Sequence, residues 1–219
     1  LPDASTFEDW HRRTPDTFEF ALKASRFLTH VRRLREPKEA VDRLMERAQG
    51  LGTKLGPILL QLPPTMRCDL SRLDETLSAF PPSVRVAVEL RHESWLSDAT
   101  ADLLRKHGTA TCLADRRGLL EPCWRTADFG YVRFHEGRAQ PNPRYGRAAL
   151  HRWAERICEQ YGDAQIVYAF FNNDPHGCAP RNALEFASAC QRLGLFAPVA
   201  SARQVTRDRR AKQRASTTP

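Results

Sequence analysis

No stretch of this chain approaches the roughly 20 consecutive apolar residues that a membrane-spanning helix requires. Leu1 to Trp10 also lacks the charged and apolar regions of a signal peptide. Both absences predict a cytoplasmic protein with no membrane partner. The six cysteines, at positions 68, 112, 123, 158, 178 and 190, show no short paired spacing of the zinc-ribbon kind. A chain of 219 residues does not need disulfides for stability, so they read as packed thiols. Cys178 carries one alternative, because it opens a predicted helix whose N-terminus lowers a thiol pKa, but no base is assigned to it. His30 and His176 lack metal-ligand spacing, and no glycine-rich phosphate loop follows any strand. The expectation is therefore no metal and no cofactor.

What is present suffices for a core. Hydrophobic residues make up 41% of the sequence, and the length fits one domain. The formal net charge of +8 is concentrated at the end: Arg203 to Pro219 holds six Arg or Lys residues and one Asp, which leaves +3 for the first 202 residues. With almost nothing apolar to bury, that tail is predicted to be a disordered basic segment following a single domain over residues 1–202. Nucleic acid is a conceivable partner for it, against the simpler reading of a solvated terminus.

Strand and helix patterns alternate along the chain. Ser5–Trp10 reads as a helix. Thr17–Lys23, Pro57–Leu62, Val84–Leu90, Thr109–Ala114, Gly130–His135 and Gln165–Phe171 read as strands. Between them Val41, Leu44, Met45 and Ala48 mark a helix opened by Pro37 and stopped by Gly50 and Gly52. Leu70, Leu73 and Leu77 mark another, capped by Asp69. Further helices are predicted from about Ser97 to His107, along the stripe Leu150 to Tyr161, and from Ala183 to Leu193. Such alternation predicts an α/β protein with a parallel sheet, open or closed into a barrel.

Several strands end in polar groups. Tyr131-Val-Arg-Phe-His135 and Ile166-Val-Tyr-Ala-Phe-Phe-Asn-Asn-Asp174 are the clearest cases, and strand ends are where α/β folds place ligands. Phe20-Ala-Leu-Lys-Ala-Ser25 with Leu28-Thr-His30, Leu60-Gln-Leu-Pro63 and Val88-Glu-Leu-Arg-His-Glu-Ser-Trp95 add three more. With Tyr131-Val-Arg-Phe-His135, Tyr145, Tyr168-Ala-Phe-Phe-Asn-Asn173, Gly177, Ala179 and Asn182, this order of motifs resembles the YecE-like family, known as domain of unknown function 72, over roughly Leu1 to Leu195. The resemblance implies a TIM-barrel-like fold. Family members open with two further strands that are not found here, so the expectation is an incomplete barrel sheet lacking the first two strands, as in a fragment.

On such a barrel Lys23, Gln61, Glu89, Arg91, Asp115, Arg133, His135, Asn172 and Asn173 fall at or just past strand C-termini, with Tyr145 nearby. Glu89 is the candidate general base and His135 a proton shuttle. Arg91 and Arg133 present planar forks suited to carboxylate or phosphate. Tyr145 and Trp95 offer stacking surfaces, with packing the alternative for both. Asn172 and Asn173 suit substrate hydroxyls. The leading reading is a metal-independent enzyme of hydrolase or isomerase type. It would act on a small anionic or polyhydroxyl, sugar-like ligand, with Glu89, His135 and Lys23 catalytic and Gln61, Arg91, Asp115, Arg133, Tyr145, Asn172 and Asn173 binding. Glycoside hydrolysis through Glu89 and Asp115 suits the excess of cations less well. A Schiff base at Lys23 is a further version that requires an apolar pocket or a cationic neighbour. The competing class is a nucleic-acid-associated or ligand-binding protein without catalysis.

Overall fold

The computed structural model describes residues 2–115, 124–137, 143–164 and 166–195. The basic tail from Arg203 and Cys123 lie outside the described residues. The described residues divide into two compact units, those up to 135 with those of 163–170, and those of 136–162 with 171–195.

The first unit holds α1 (Ala4–Arg13), β1 (Phe20–Lys23), α2 (Pro37–Ala48), β2 (Leu55–Gln61), α3 (Leu70–Ser78), β3 (Val86–Glu89), α4 (Asp98–Lys106), β4 (Ala110–Asp115) and β5 (Phe129–Phe134). After α5 (Arg147–Tyr161) the chain returns as β6 (Ile166–Phe171), and α6 (Cys178–Arg192) follows. The strands form one six-stranded sheet in sequential order, the β1–β5 pairs parallel in register, so the predicted α/β fold with six strands is the fold found. Side chains alternate between its two faces. Ile58, Leu60, Val86 and Val88 pack outward with Leu44, Leu73 and Leu104 of the helices. Leu59, Ala87, Ala110, Cys112, Ala114, Phe129 and Tyr131 form a separate cluster on the inner face.

The sheet is curled. In a flat six-stranded sheet with strands about 4.8 Å apart, β1 and β6 would stand roughly 24 Å from each other. Instead the Tyr168 hydroxyl on β6 donates to Glu19, the residue before β1, and accepts from Arg85 Nη1, just before β3, at 2.8 Å. Side chains from β6 and from the residues that lead into β1 and β3 therefore meet near the strand N-termini, as in a TIM-barrel-like fold.

Local chemistry sets where the elements begin. Asp69 Oδ1 accepts from Arg72 N at 3.1 Å, so α3 has the side-chain cap its sequence suggests, and Ser97 Oγ accepts from Thr100 N at 3.4 Å to cap α4. β1 starts three residues later than predicted because Phe18 N bonds back to Pro15 O at 3.0 Å, making Pro15–Phe18 a turn. The segment after β1 is a π-helical turn, Phe27–Val31, which no sequence pattern announced. It is followed by Arg33, Leu34 and Glu36 at positive φ, each costing on the order of 1–2 kcal/mol. Buried Leu34 and the buried Pro37 at the start of α2 hold that segment in place.

α1 packs directly on backbone. A Cβ at Gly50 would come within 2.9 Å of Ala4 O and 3.0 Å of Glu8 N, so only glycine admits the helix there. Lys54, buried at 3% exposure, donates from Nζ to His11 O at 2.6 Å and Thr14 O at 3.0 Å, binding the carbonyls at the end of α1.

In the second unit α5 and α6 pack together, and Phe171 meets the rings of Phe186 and Tyr145 at 5.8 and 6.2 Å. Asn182 is fully buried, and its side chain fastens the segment before α5: Oδ1 accepts from Tyr145 N, and Nδ2 donates to Tyr145 O at 2.9 Å.

Candidate functional site

Lys23, Gln61 and Glu89 are the last residues of β1, β2 and β3, and Arg133 is the next-to-last of β5. Parallel pairing sets Gln61 opposite Glu89 and Ala114 opposite Arg133. Two-residue alternation from Leu59, Ala87 and Tyr131 brings Gln61, Glu89 and Arg133 onto the inner face, at the strand C-termini.

There they form a continuous polar chain. Glu89 is 0% exposed. Both of its oxygens accept from Gln61 Nε2 at 2.9 Å, Arg133 Nη1 donates to Oε2, and Arg91 Nε lies 3.9 Å from Oε1. A carboxylate buried without such partners would cost several kcal/mol. Because the Gln61 amide nitrogen faces Glu89, its oxygen faces the other way and accepts from Lys23 Nζ at 2.7 Å.

Cations outnumber the acid here. Burial first, and then the Arg133 guanidinium, push the Lys23 ammonium below its ordinary pKa of 10.5; Arg26 and Arg91 act in the same sense, and Glu89 opposes them. His30 is held below 6.5, by burial and then by the charges of Arg26, Lys23 and Arg91. Its Nδ1 lies 2.9 Å from Thr29 Oγ1.

The structure thus brings together Lys23, Gln61, Glu89, Arg91 and Arg133. His135 begins the loop after β5, its N–H donating to Asp115 O at 3.3 Å. Asp115 pairs with Phe134, one residue out of phase with Ala114 and Arg133, so alternation turns its carboxylate off the inner face. Tyr145, Asn172 and Asn173 belong to the second unit. Asn173 Nδ2 donates to Pro143 O and Asn182 Oδ1, both at 2.9 Å, while Tyr145 OH accepts from Glu136 N at 3.1 Å. These contacts fasten chain to chain. Asn172 is exposed. Trp95 is fully buried with Nε1 donating to Met66 O at 2.9 Å, and Cys178 is a buried free thiol.

Sequence reasoning missed Arg26 and His30 as members of the cluster. The run Leu28-Thr-His30 was the available signal, but the π-helical turn that carries His30 back towards Lys23 has no periodicity to read. Elsewhere, a cleft of about 670 Å³ lies at the opposite strand ends, lined by Ser83, Arg85, Arg105, His107, Arg125 and Phe129. Its arginines are tied down, Arg105 to Asp102 at 2.6 Å and Arg125 to Asp163. Among the described residues no group of three His, Cys, Asp or Glu is placed to hold a metal ion, and no helix is long and apolar enough to cross a membrane.

Over residues 1–204 the sequence matches the family described as Protein of unknown function DUF72. The chain belongs to that family. The UPF0759 protein YunF of Bacillus subtilis (strain 168) is 24% identical over 215 residues, covering 83% of this chain and 76% of that protein. A DUF72 family protein of Thermotoga maritima MSB8 superposes with a TM-score of 0.77 at 27% identity, covering 87% of this chain and 80% of that one. A second, from Enterococcus faecalis V583, gives 0.74 at 18% identity over 87% and 81%, a likeness of fold. In this DUF72 chain each of the five clustered side chains falls inside a run on which the family resemblance rests.

Proposed function

We propose that the Lys23–Gln61–Glu89–Arg133 cluster, with Arg91, is the centre of an enzyme that binds a small anionic substrate, sugar-like or carboxylate, and transforms it by acid/base chemistry of hydrolase or isomerase type. The carrying observation is charge: among the described residues, the groups whose fields act on Lys23 are the cations Arg133, Arg26 and Arg91 and the acid Glu89. With Lys23 itself, that is four cations to one carboxylate, an excess that a bound anion would neutralise. Glu89 serves as the buried counter-ion that orients Gln61 and Arg133, since its oxygens are already committed to them. Proton transfer falls to Lys23 and His30, both shifted towards their neutral forms, with His135 a further donor.

Calorimetric titration with ribose 5-phosphate and with ribose tests this reading. The phosphate ester should bind at least about ten-fold tighter, a difference of about 1.4 kcal/mol. Arg91→Gln and the exposed Arg26→Gln should each erode that preference while leaving the melting temperature close to wild type. Equal binding of the neutral sugar, or no effect of either substitution, would sink the proposal. The competing nucleic-acid reading makes a different prediction, a steep fall in affinity with salt as phosphate contacts release counter-ions.

A further inference from the structure

Of the four lysines among the described residues, three sit within 4 Å of a carboxylate: Lys38 beside Asp42 at 2.7 Å, Lys54 beside Asp16 at 3.7 Å and Lys106 beside Asp74 at 3.0 Å. Lys23 has no such ion pair among the described residues. Its Nζ is held instead by a neutral amide oxygen, that of Gln61, whose own orientation is fixed by Glu89. A nearby carboxylate or open water keeps a lysine in its charged ammonium form, and holding an anion is a task that planar arginines serve better. A lysine set against a neutral acceptor and surrounded by guanidinium groups is arranged as a nucleophile.

We infer that Lys23 forms an imine with the carbonyl carbon of a small anionic aldehyde or ketone, the anionic group resting on the surrounding arginines. This inference rests on the anion-binding reading above and names its substrate class. Lys23 is exposed at the end of β1, so a carbonyl compound can reach it. The neutral Nζ attacks the carbonyl carbon and the C=O π electrons go to oxygen. A proton from nitrogen reaches that oxygen, giving a carbinolamine. Loss of the hydroxyl with the second nitrogen proton releases one water and leaves a C=N bond, so the two protons of the amine end on the departing oxygen. Gln61 accepts from Nζ whether it is charged or neutral, fixing its direction of attack. His30, held below its ordinary pKa by burial and then by the same cations, is a group able to carry the proton between nitrogen and oxygen.

Reductive trapping tests the inference on the full chain. The protein is incubated with glyoxylate or with acetaldehyde in the presence of borohydride, and the added group is located by peptide mass spectrometry. Lys23 should take the carboxymethyl group several-fold faster than the exposed Lys38 and Lys106, and glyoxylate should be preferred over acetaldehyde. Labelling at Lys23 should also begin at lower pH than for an ordinary lysine, because burial and the facing charges of Arg133, Arg26 and Arg91 outweigh that of Glu89, with the His30 imidazole facing the same group. Lys23→Arg should abolish the fast label while retaining the melting temperature. No preference for Lys23, with ribose 5-phosphate binding intact, overturns the imine and leaves the anion site standing. Fast labelling of Lys23 by both aldehydes alike, with no anion binding, supports the nucleophile and overturns the anionic substrate class.

Discussion

Lys54 illustrates how much a single side chain can do when it is buried with a specific task. Its ammonium replaces the solvent that the last carbonyls of α1 would otherwise require, at His11 and Thr14. Lys54→Met keeps the length and the apolar stem but removes both donors. The expected loss is about 1–3 kcal/mol per carbonyl left unsatisfied in the interior, less whatever water recovers, read as a fall in the urea midpoint. An unchanged midpoint would mean the end of α1 is solvated without Lys54. Nothing in the sequence around Lys54 announces this role: Thr53-Lys-Leu55 reads as a polar residue before a strand, and its partner lies 40 residues away along the chain. By contrast Lys23, Gln61, Glu89, Arg91 and Arg133 were legible, because each follows or ends a recognisable apolar run and parallel strands share a direction.

At the scale of elements, periodicity found all six strands and the helices, while turn chemistry moved their ends. The delayed start of β1 and the π-helical turn are products of local hydrogen bonding and of the burial of Leu28 and Leu34, which a hydrophobic pattern does not encode. Asp115, Tyr145 and Asn173 were hardest to read for a related reason. Their facing depends on register and on tertiary partners such as Asn182, set in the chain far from Tyr145. Gly50 gives the clearest test of element packing. Gly50→Ala must push its new methyl against the backbone of α1, which unlike a flexible side chain cannot swing aside. The expected cost is about 1–3 kcal/mol, measured as a lower melting temperature. Proteolysis should then cut first between α1 and β1. Retained stability would show that α1 shifts without loss.

For the first unit as a whole, the curl of the sheet is secured by Tyr168. Burial, and then the hydrogen bond to Glu19, push its hydroxyl up to about 12 from an ordinary 10.0. Below about pH 10 the phenol is neutral in both folded and unfolded chains, and its contribution is constant. Between about 10 and 12 the folded form keeps a proton that the unfolded chain gives up, so stability falls as pH rises through that window. The difference in urea midpoint between the wild type and Tyr168→Phe should therefore be level to about pH 10 and then decline. A difference that rises across the same window would reverse the assignment.

The polar chain at the strand ends draws one residue from each of four strands, and a slip of a single residue in any strand would turn its member to the helix-covered face. Val88 in place of Glu89 would leave a compact, apolar and spectroscopically ordinary sheet with no cluster at all. Lys23, Gln61, Glu89 and Arg133 thus behave as the tumblers of a combination lock, assembled only when every strand is correctly aligned. Given the proposed reactivity of Lys23, a refolded sample offers a test of register: the fraction of molecules whose Lys23 labels rapidly should count those with all four strands aligned, even where circular dichroism reports full secondary structure.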